Sequence, residues 1–234
     1  MKISLLGYGK MGKAIEKIAL SRNHEIVSII DKKKIKGEIS NSDVAINFSI
    51  PSSAKDNIML ALKNNIPVIS GTTGWLNDLK FVEKYCFENN KTFLYSSNFS
   101  IGVNIFFKIN EVLSKLIKPY SQYIPSIEEI HHIEKLDSPS GTAIKLAQDI
   151  LKNSYFSEWT MSKNNNKNEL KINVDRIGEN PGYHGVNYDS LIDSIKIEHK
   201  AKSRDGFALG AVIAAEWIKN KKGVFKMSDV LKFK

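Results

Sequence analysis

Short apolar segments alternate with longer segments of helical periodicity through the first hundred residues of the chain. The first helical segment places Met11, Ile15, Ile18 and Ala19 on one face, as expected for a helix that packs against a sheet. Short turns join the segments, an arrangement typical of a doubly wound parallel sheet. The pattern therefore predicts an α/β fold with a Rossmann-like N-terminal domain. Its strands are predicted at residues 2–6, 24–30, 43–48, 67–70 and 92–95.

The segment after the second predicted strand departs from this alternation. Eleven residues separate Asp31 from Asp43, and most of them are lysine or polar. A helical crossover between parallel strands needs a dozen or more residues. We therefore expect this crossover to be reduced to a loop.

Beyond residue 103 the helical and strand-like segments no longer alternate regularly. Helices are predicted at residues 102–116 and 142–152, and strands at residues 126–132, 171–177 and 194–199. This mixture predicts a second domain of the α+β class.

An apolar stretch at residues 207–217 predicts a buried C-terminal helix that returns to the first domain. The predicted first domain therefore comprises residues 1–103 and 205–234, and the second comprises residues 104–204.

Composition indicates a globular protein without a membrane partner. Hydrophobic residues make up 42% of the chain and charged residues 25%, which are ordinary fractions. No apolar run approaches the ~20 residues that a membrane helix needs. Cys86 is the only cysteine, which excludes an internal disulfide and favours a reducing, cytoplasmic location.

The net charge of +9 suggests a nucleic-acid partner at first. However, the lysines are scattered, and no groove-reading or base-stacking motif accompanies them, so we expect no such partner. The 34 basic residues include only three arginines, Arg22, Arg176 and Arg204. In a chain so rich in lysine, an arginine that remains indicates a place where the planar guanidinium matters.

A Gly-x-Gly-x-x-Gly motif follows the first predicted strand and opens the first predicted helix. In this context the glycines permit a tight turn, close approach of a pyrophosphate, and close packing of helix on strand. Asp31 lies at the end of the second predicted strand, where a carboxylate accepts ribose hydroxyls. A glycine-rich turn in an unrelated α/β fold is the alternative. The candidate cofactor residues here are Gly7, Tyr8, Gly9, Lys10, Met11, Gly12 and Asp31.

The choice between the two nicotinamide cofactors stays open. Asp31 favours NADH, whereas the three lysines that follow it could accommodate the 2′-phosphate of NADPH. We therefore expect either cofactor to work.

A second turn follows the fourth predicted strand, at the carboxyl edge where ligands of such sheets bind. Its residues Gly71, Thr72 and Thr73 are further cofactor candidates, although a plain turn with two hydroxyls is the alternative.

Two adjacent histidines and a lysine mark the start of the most informative segment. His131 and His132 lie on a predicted strand, so their side chains point to opposite faces and cannot readily hold one metal ion. No cysteine and no other histidine nearby completes a metal site, and we expect none. Lys135 and a histidine could instead hold or protonate a bound anion.

The same segment continues into a predicted helix. The segment Ser138-Pro139-Ser140-Gly141-Thr142 leads into it, and exposed amides at the helix start, with the glycine allowing close approach, would form a carboxylate site. A capped surface helix after a strand is the alternative.

The segment His131-His132-x-x-Lys135-x-Asp137-x-Pro139-Ser140-Gly141-Thr142-Ala143 closely resembles the signature of the 4-hydroxy-tetrahydrodipicolinate reductase family, formerly called dihydrodipicolinate reductase. Other matches run in order along nearly the whole chain. They are Phe48-Ser49-x-Pro51, Gly71-Thr72-Thr73-Gly74, Asn98-Phe99-Ser100-x-Gly102-Val103-Asn104, Pro181-Gly182-x-His184, His199-Lys200-Ala201-x-Ser203-Arg204 and Gly223-Val224-Phe225-x-Met227-x-Asp229-Val230-Leu231.

The resemblance implies a reaction in the diaminopimelate route to lysine. NADH or NADPH gives a hydride to a cyclic dicarboxylate, water is lost, and tetrahydrodipicolinate forms. It also implies a homotetramer built through sheets of the second domain, which would bind substrate and form the oligomer while the first domain binds the dinucleotide.

The resemblance further implies roles for individual residues. His131 would donate or accept a proton, Lys135 would be the second proton donor, and His132 would contact substrate. The amides of Gly141 and Thr142 would hold one carboxylate, with Ser140 also in the substrate site, and Arg204 would face the dicarboxylate. The loop that closes near the nicotinamide would comprise Ser96, Ser97, Asn98 and Phe99.

This chain departs from the family pattern at the adenosine end of the cofactor site. The phosphate turn is one residue shorter than usual, and the segment after Asp31 is severely shortened. Both departures affect cofactor preference more than activity. The alternatives are a dinucleotide-sensing protein without catalysis and a related reductase of an amino acid or keto acid. The first predicts damage at His131 or Lys135, and the second needs no His-His-x-x-Lys segment.

Overall fold

The computed structural model describes residues 1–32, 34–162, 166 and 168–233. The strands are β1 (Lys2–Leu6), β2 (Glu25–Asp31), β3 (Lys34–Lys36), β4 (Val44–Asn47), β5 (Val68–Ser70), β6 (Thr92–Tyr95), β7 (Ile124–His131), β8 (Glu158–Thr160), β9 (Glu169–Arg176), β10 (Tyr183–Asp189), β11 (Ser194–Lys200) and β12 (Gly223–Phe225). The helices are α1 (Lys10–Ser21), α2 (Pro51–Lys63), α3 (Leu79–Glu88), α4 (Ile101–Ile117), α5 (Gly141–Leu151), α6 (Asp205–Ile218) and α7 (Met227–Val230).

The chain divides into two compact units. The first contains Met1–Ile101 and Arg204–Lys234, and the second contains Gly102–Ser203. The boundaries predicted from sequence lie one or two residues further along the chain.

The first unit contains a seven-stranded sheet in the order β12-β6-β5-β4-β1-β2-β3. Successive residues of β1 point to opposite faces, so Leu5 packs on the side of α1 and α6 while Leu6 packs on the side of α2 and α3. Both faces of the sheet are therefore covered by helices, and the predicted doubly wound fold is confirmed. The predicted return of the apolar helix is confirmed as well, because α6 packs against α1.

The shortened segment after β2 is more ordered than the sequence predicted. The three-residue strand β3 turns back antiparallel on β2, and Asp31 lies opposite Lys34. A short 3₁₀ turn at Ile39–Asn41 then leads to β4. The prediction of a plain loop is wrong because an antiparallel hairpin needs only a tight turn, whereas the parallel crossover that was ruled out needs many residues. Of the three lysines after Asp31, Lys33 lies outside the described residues.

The second unit contains a five-stranded sheet in the order β11-β10-β7-β9-β8. Its inner face packs against α5, with Ile127 of β7 and Leu170 of β9 among the buried residues. Residues of β7 alternate between this face and the other one, so Ile127, Glu129 and His131 share the buried side. The α+β class is as predicted, although the sequence pattern did not reveal β8, β10 or, in the first unit, β12.

Candidate active site

The glycine motif forms a tight turn between β1 and α1. Gly7 has φ of +94°, and a β-carbon on it would lie 2.4 Å from the carbonyl oxygen of Phe48. A β-carbon on Gly12 would lie 2.4 Å from the carbonyl oxygen of Gly7. Around Gly9, the residue that precedes α1, a β-carbon would meet nothing within 4 Å. The first and third glycines thus allow close packing, and the second leaves the start of α1, with Lys10 and Met11, open to a ligand.

Asp31 lies at the edge of this turn. One of its carboxylate oxygens accepts a hydrogen bond from the backbone amide of Tyr8 at 2.9 Å. The residue lines a cavity of about 400 Å³ together with Gly7, Lys32, Ser49 and other residues of the first unit. The size is that of a small-molecule pocket. The open turn, the carboxylate and the cavity thus fit a bound dinucleotide.

The turn after β5 is held by its own side chains. A β-carbon on Gly71 would lie 2.3 Å from the ring of Phe48. The Thr72 hydroxyl is buried and accepts a hydrogen bond from the Ser49 amide at 3.0 Å, which ties the turn to the loop after β4. Thr73 is exposed. The Thr72 side chain therefore shapes this edge of the sheet, and the neighbouring backbone and Thr73 remain for ligand contacts.

The Ser96–Phe99 segment follows β6 in the same unit. The Ser96 hydroxyl donates to the Asn98 carbonyl at 2.7 Å, and the Asn98 side chain accepts from the Ser100 amide at 2.9 Å. Ser97 is exposed, and the ring of Phe99 is buried against Phe48 with centroids 5.6 Å apart. The segment is thus a firmly held turn at the end of a parallel strand.

In the second unit, the side chain of His131 at the end of β7 is buried. Its Nδ1 lies 3.1 Å from Oε1 of Glu129, whose side chain is fully buried. Burial alone would raise the pKa of Glu129, but hydrogen bonds from His131 and from Ser140 outweigh it and lower that pKa. An ionised carboxylate only accepts hydrogen bonds, so Nδ1 carries a proton and Nε2 is left for proton exchange.

The residues after His131 form a loop. His132 is partly buried and lies one residue beyond the end of β7, whereas the sequence predicted that both histidines lie on the strand. The ammonium of Lys135 donates to both carboxylate oxygens of Asp137, at 2.6 and 2.8 Å. Burial would raise the pKa of Asp137, but the bond from Lys135 outweighs it and lowers that pKa.

The loop leads into the start of α5. Ser140 caps the helix, because its hydroxyl accepts a hydrogen bond from the Ala143 amide at 3.2 Å. Around Gly141 a β-carbon would meet nothing within 4 Å, so the first turn of the helix, with Thr142, is open. Amides at an open helix start bind carboxylates well.

His184 joins this group from β10, although from the sequence we expected no further histidine to complete a site beside His131. The antiparallel pairing of β10 with β7 places His184 opposite Glu129. The rings of His131 and His184 lie 5.0 Å apart. Burial, followed by the charge of His131, lowers the pKa of His184 to about 3, so this ring is neutral near pH 7. The expectation that no further histidine lies near His131 is wrong, because the pairing of β10 with β7 brings residues distant in sequence together.

Glu129, His131 and His184 together offer three ligand atoms within 4.8 Å of one another. Their contacts do not fit a metal ion. The Glu129 oxygens already accept hydrogen bonds from Ser140 and His131, and the guanidinium of Arg176 lies 3.1 Å from Oε1. A cation bound there would be repelled by the guanidinium. We therefore interpret the group as a hydrogen-bond network.

The structure reveals three residues that were not candidates, Glu129, Arg176 and His184. His184 lies in one of the matched motifs, and Arg176 is one of only three arginines, so both carried a signal. Arg204 precedes α6 in the first unit, where it is exposed. Its contact with a dicarboxylate stays a prediction.

Two family models match this chain. Residues 1–99 match the model described as dihydrodipicolinate reductase, N-terminus, and residues 102–231 match the model described as dihydrodipicolinate reductase, C-terminus. Among the described residues, no helix is long and apolar enough to cross a membrane.

Curated relatives match over the same length. A 4-hydroxy-tetrahydrodipicolinate reductase of Christiangramia forsetii is 49% identical over 234 residues, covering 99% of this chain and 98% of the relative. The enzyme of that name from Methanocaldococcus jannaschii is 34% identical, covering 97% of this chain and 80% of the relative. A solved dihydrodipicolinate reductase from Paenisporosarcina sp. TG-14, with dipicolinate bound, has the same fold, with a TM-score of 0.80 at 20% identity over 98% of each chain. The resemblance found in the sequence is confirmed, and the chain belongs to the dihydrodipicolinate reductase family.

Proposed function

We propose that this chain reduces 4-hydroxy-tetrahydrodipicolinate to tetrahydrodipicolinate with NADH or NADPH, releasing water, in the diaminopimelate route of lysine biosynthesis. The observation that carries the proposal is the pairing of His131 with Glu129 beside the open start of α5. That arrangement provides an acid–base group next to a carboxylate site, which is what a cyclic dicarboxylate requires.

The first unit holds the nicotinamide cofactor. When bound, the reduced cofactor supplies a hydride. The amides at the start of α1, from Gly9 to Gly12, would hold the pyrophosphate, and the Asp31 carboxylate would accept hydrogen bonds from the ribose hydroxyls. The turns at Gly71–Thr73 and Ser96–Phe99 follow neighbouring parallel strands, and ligands of such sheets bind at this edge. They therefore form the remainder of the cofactor site.

The second unit holds the substrate. The amides of Gly141 and Thr142, with the Ser140 cap behind them, bind one carboxylate, and His132 contacts the substrate. His131 exchanges a proton through Nε2, and Lys135 delivers the second proton. Arg204 pairs with the dicarboxylate as a planar donor. For Lys135 to act, substrate must compete with Asp137 for its ammonium.

Both cofactors are expected to serve. Asp31 favours NADH because its carboxylate matches the ribose diol and repels a 2′-phosphate. Lys32 lines the same cavity and is exposed, so its ammonium offsets that repulsion. The ratio of the two activities therefore depends mainly on these two side chains.

We also propose that the enzyme is a cytoplasmic homotetramer without a nucleic-acid partner, assembled through the outer face of the five-stranded sheet. Ile124 on the outer face of this sheet is 49% exposed, and the turn between β10 and β11 exposes Leu191 and Ile192. A cavity of about 900 Å³ lies beside them. Apolar groups on an outer sheet face are typical of a surface that another subunit covers. Sedimentation equilibrium at micromolar concentration should give four times the 26.4 kDa chain mass.

The decisive experiment is a coupled assay that supplies freshly made hydroxy-tetrahydrodipicolinate and follows the loss of reduced-nicotinamide absorbance. Wild-type protein should consume both NADH and NADPH. His131→Gln should lower kcat by ~100 to 10,000-fold, the range for one acid–base group, with NADH binding preserved. Folded protein that binds NADH but does not turn over the substrate would refute the proposed reaction. Loss of NADH binding in the variant would indicate that His131 supports the fold instead.

A further inference from the structure

The buried carboxylate of Glu129 receives four donors from three parts of the second unit. Oε2 accepts from the Ser140 amide at 2.8 Å and from the Ser140 hydroxyl at 2.6 Å. Oε1 lies 3.1 Å from His131 Nδ1 and 3.1 Å from Arg176 Nη1. A buried carboxylate is costly unless it is paired and hydrogen-bonded. This one is fully engaged, and each of its partners adjoins a group of the proposed substrate site.

The guanidinium of Arg176 extends the contact to the Lys135 loop. Its Nη2 donates to the carbonyl of Asp137 at 2.7 Å, and its Nε lies 3.4 Å from the carbonyl of Lys135. The parallel register of β7 and β9 places Arg176 beside His131. From there its guanidinium contacts both Glu129 and the loop that carries Lys135. A planar fork donates in several fixed directions at once, whereas a lysine ammonium on a flexible stem cannot reproduce that geometry.

The other nitrogen of His131 has room because residue 182 is a glycine. Gly182 has φ of +146°, and a β-carbon on it would lie 3.2 Å from His131 Nε2. The charged or titratable groups described around the ring are Glu129, Arg176 and His184. The ring is thus oriented by Glu129 on one nitrogen and left uncrowded by a glycine on the other.

We propose that Glu129 and Arg176 are positioning residues for the reduction: their ion pair fixes the orientation of His131, the loop that carries Lys135, and the Ser140 cap of the carboxylate-binding helix. The inference rests on the proposed function. Neither residue needs to touch substrate, because each acts through groups that do. Substitution of Glu129 or Arg176 should therefore lower kcat while leaving cofactor binding in the first unit intact.

The first test measures the His131 ring directly in the wild-type protein. Nitrogen-15 NMR of histidine-labelled protein, assigned by comparison with His131→Gln, should show a proton on Nδ1 of the His131 ring, the nitrogen that lies 3.1 Å from Glu129 Oε1. Glu129→Gln should convert part or all of it to the Nε2-protonated form, because the amide can donate to Nδ1. A wild-type ring protonated only on Nε2 overturns the proposal. This readout does not require activity, so absence of turnover with the expected tautomer would refute the proposed reaction and not the positioning.

The second test separates positioning from folding by chemical rescue. Arg176→Ala should lose about 100-fold or more in kcat, comparable with loss of an acid–base group, while the Kd for NADH stays within twofold. Millimolar guanidinium, far below denaturing levels, should restore part of kcat, and sodium chloride at equal ionic strength should not. Arg176→Lys should remain impaired despite its charge.

Arg22→Ala is the matched control for that series. Arg22 makes a two-point pair with Glu216 in the first unit, with both N–O distances 2.8 Å. We expect wild-type kcat for this variant, and no response to guanidinium. Wild-type kcat in Arg176→Ala would overturn the role of Arg176. An equal loss of kcat in Arg22→Ala, with the same response to guanidinium in both variants, would overturn it as well.

Discussion

The backbone of α6 passes unusually close to the Ser96–Phe99 turn at Gly210. A β-carbon there would lie 1.7 Å from the carbonyl oxygen of Phe99 and 2.8 Å from its carbonyl carbon. Non-bonded atoms normally sit about 3.5 Å apart or more, so Gly210→Ala forces backbone to move by more than about 1 Å. Phe99 is itself buried against Phe48, and a close-packed interior cannot absorb that shift locally.

Two opposing effects set the magnitude. Alanine inside a helix is favoured over glycine by about 0.5–1 kcal/mol. Overpacking a rigid core costs about 1–3 kcal/mol, and the upper part of this range applies because the obstacle is backbone. We therefore expect Gly210→Ala to lower the free energy of unfolding by about 2 kcal/mol, which is roughly 4–8 °C in Tm for a chain of this size.

Gly206→Ala is the matched control, one turn earlier in the same helix. A β-carbon on Gly206 has the Ser100 hydroxyl as its nearest contact, at 3.8 Å, which is ordinary packing distance. This variant should keep or slightly raise Tm. Scanning calorimetry measures both variants, and fluorescence titration with NADH tests the second consequence. Because the displaced turn is proposed to contact the cofactor, only Gly210→Ala should bind NADH more weakly. Equal Tm values for the two variants would refute the reasoning.

Two further predictions concern charge. Asp31→Ala should raise the KM for NADH about tenfold, because the variant loses a charged hydrogen bond to ribose. The KM for NADPH should rise less, because the variant also loses a negative charge near the 2′-phosphate. Steady-state kinetics with both cofactors measures the two KM values. For His184, whose folded pKa of about 3 lies below the ordinary 6.5, the unfolded chain binds the proton first. The contribution of the neutral His184 to the free energy of unfolding should therefore be complete above pH 6.5 and should be lost as the pH falls toward 3. In denaturant titrations over that window, His184→Asn should lose less stability than wild type, by on the order of a few kcal/mol. Parallel pH curves for the two proteins would contradict the assignment.

Most of the first unit could be predicted from the sequence because its signals are local. A buried parallel strand is a short apolar run, and the helix that follows repeats its apolar face every three or four residues. The strands that were missed lack such a signal. β3 contains Lys34 and Lys36. β10 begins directly after a proline–glycine pair and contains a further glycine, Gly185. These strands form because neighbouring strands supply hydrogen-bond partners, and a local window cannot show this.

The site divides in the same way between local and long-range information. The alternation of β7 places Glu129 on the same face as Ile127 and His131, so a buried carboxylate could have been expected from sequence. Its need for a cationic partner follows, since an unpaired charge on that face is not tolerated. The identity of the partner does not follow, because Arg176 reaches Glu129 only through the parallel register that pairs it with His131. The chain offers 31 lysines and three arginines as cations, and the sheet topology is what selects Arg176 among them. A motif therefore identifies the groups that react, whereas the residues that hold them in place emerge only when the strands are paired.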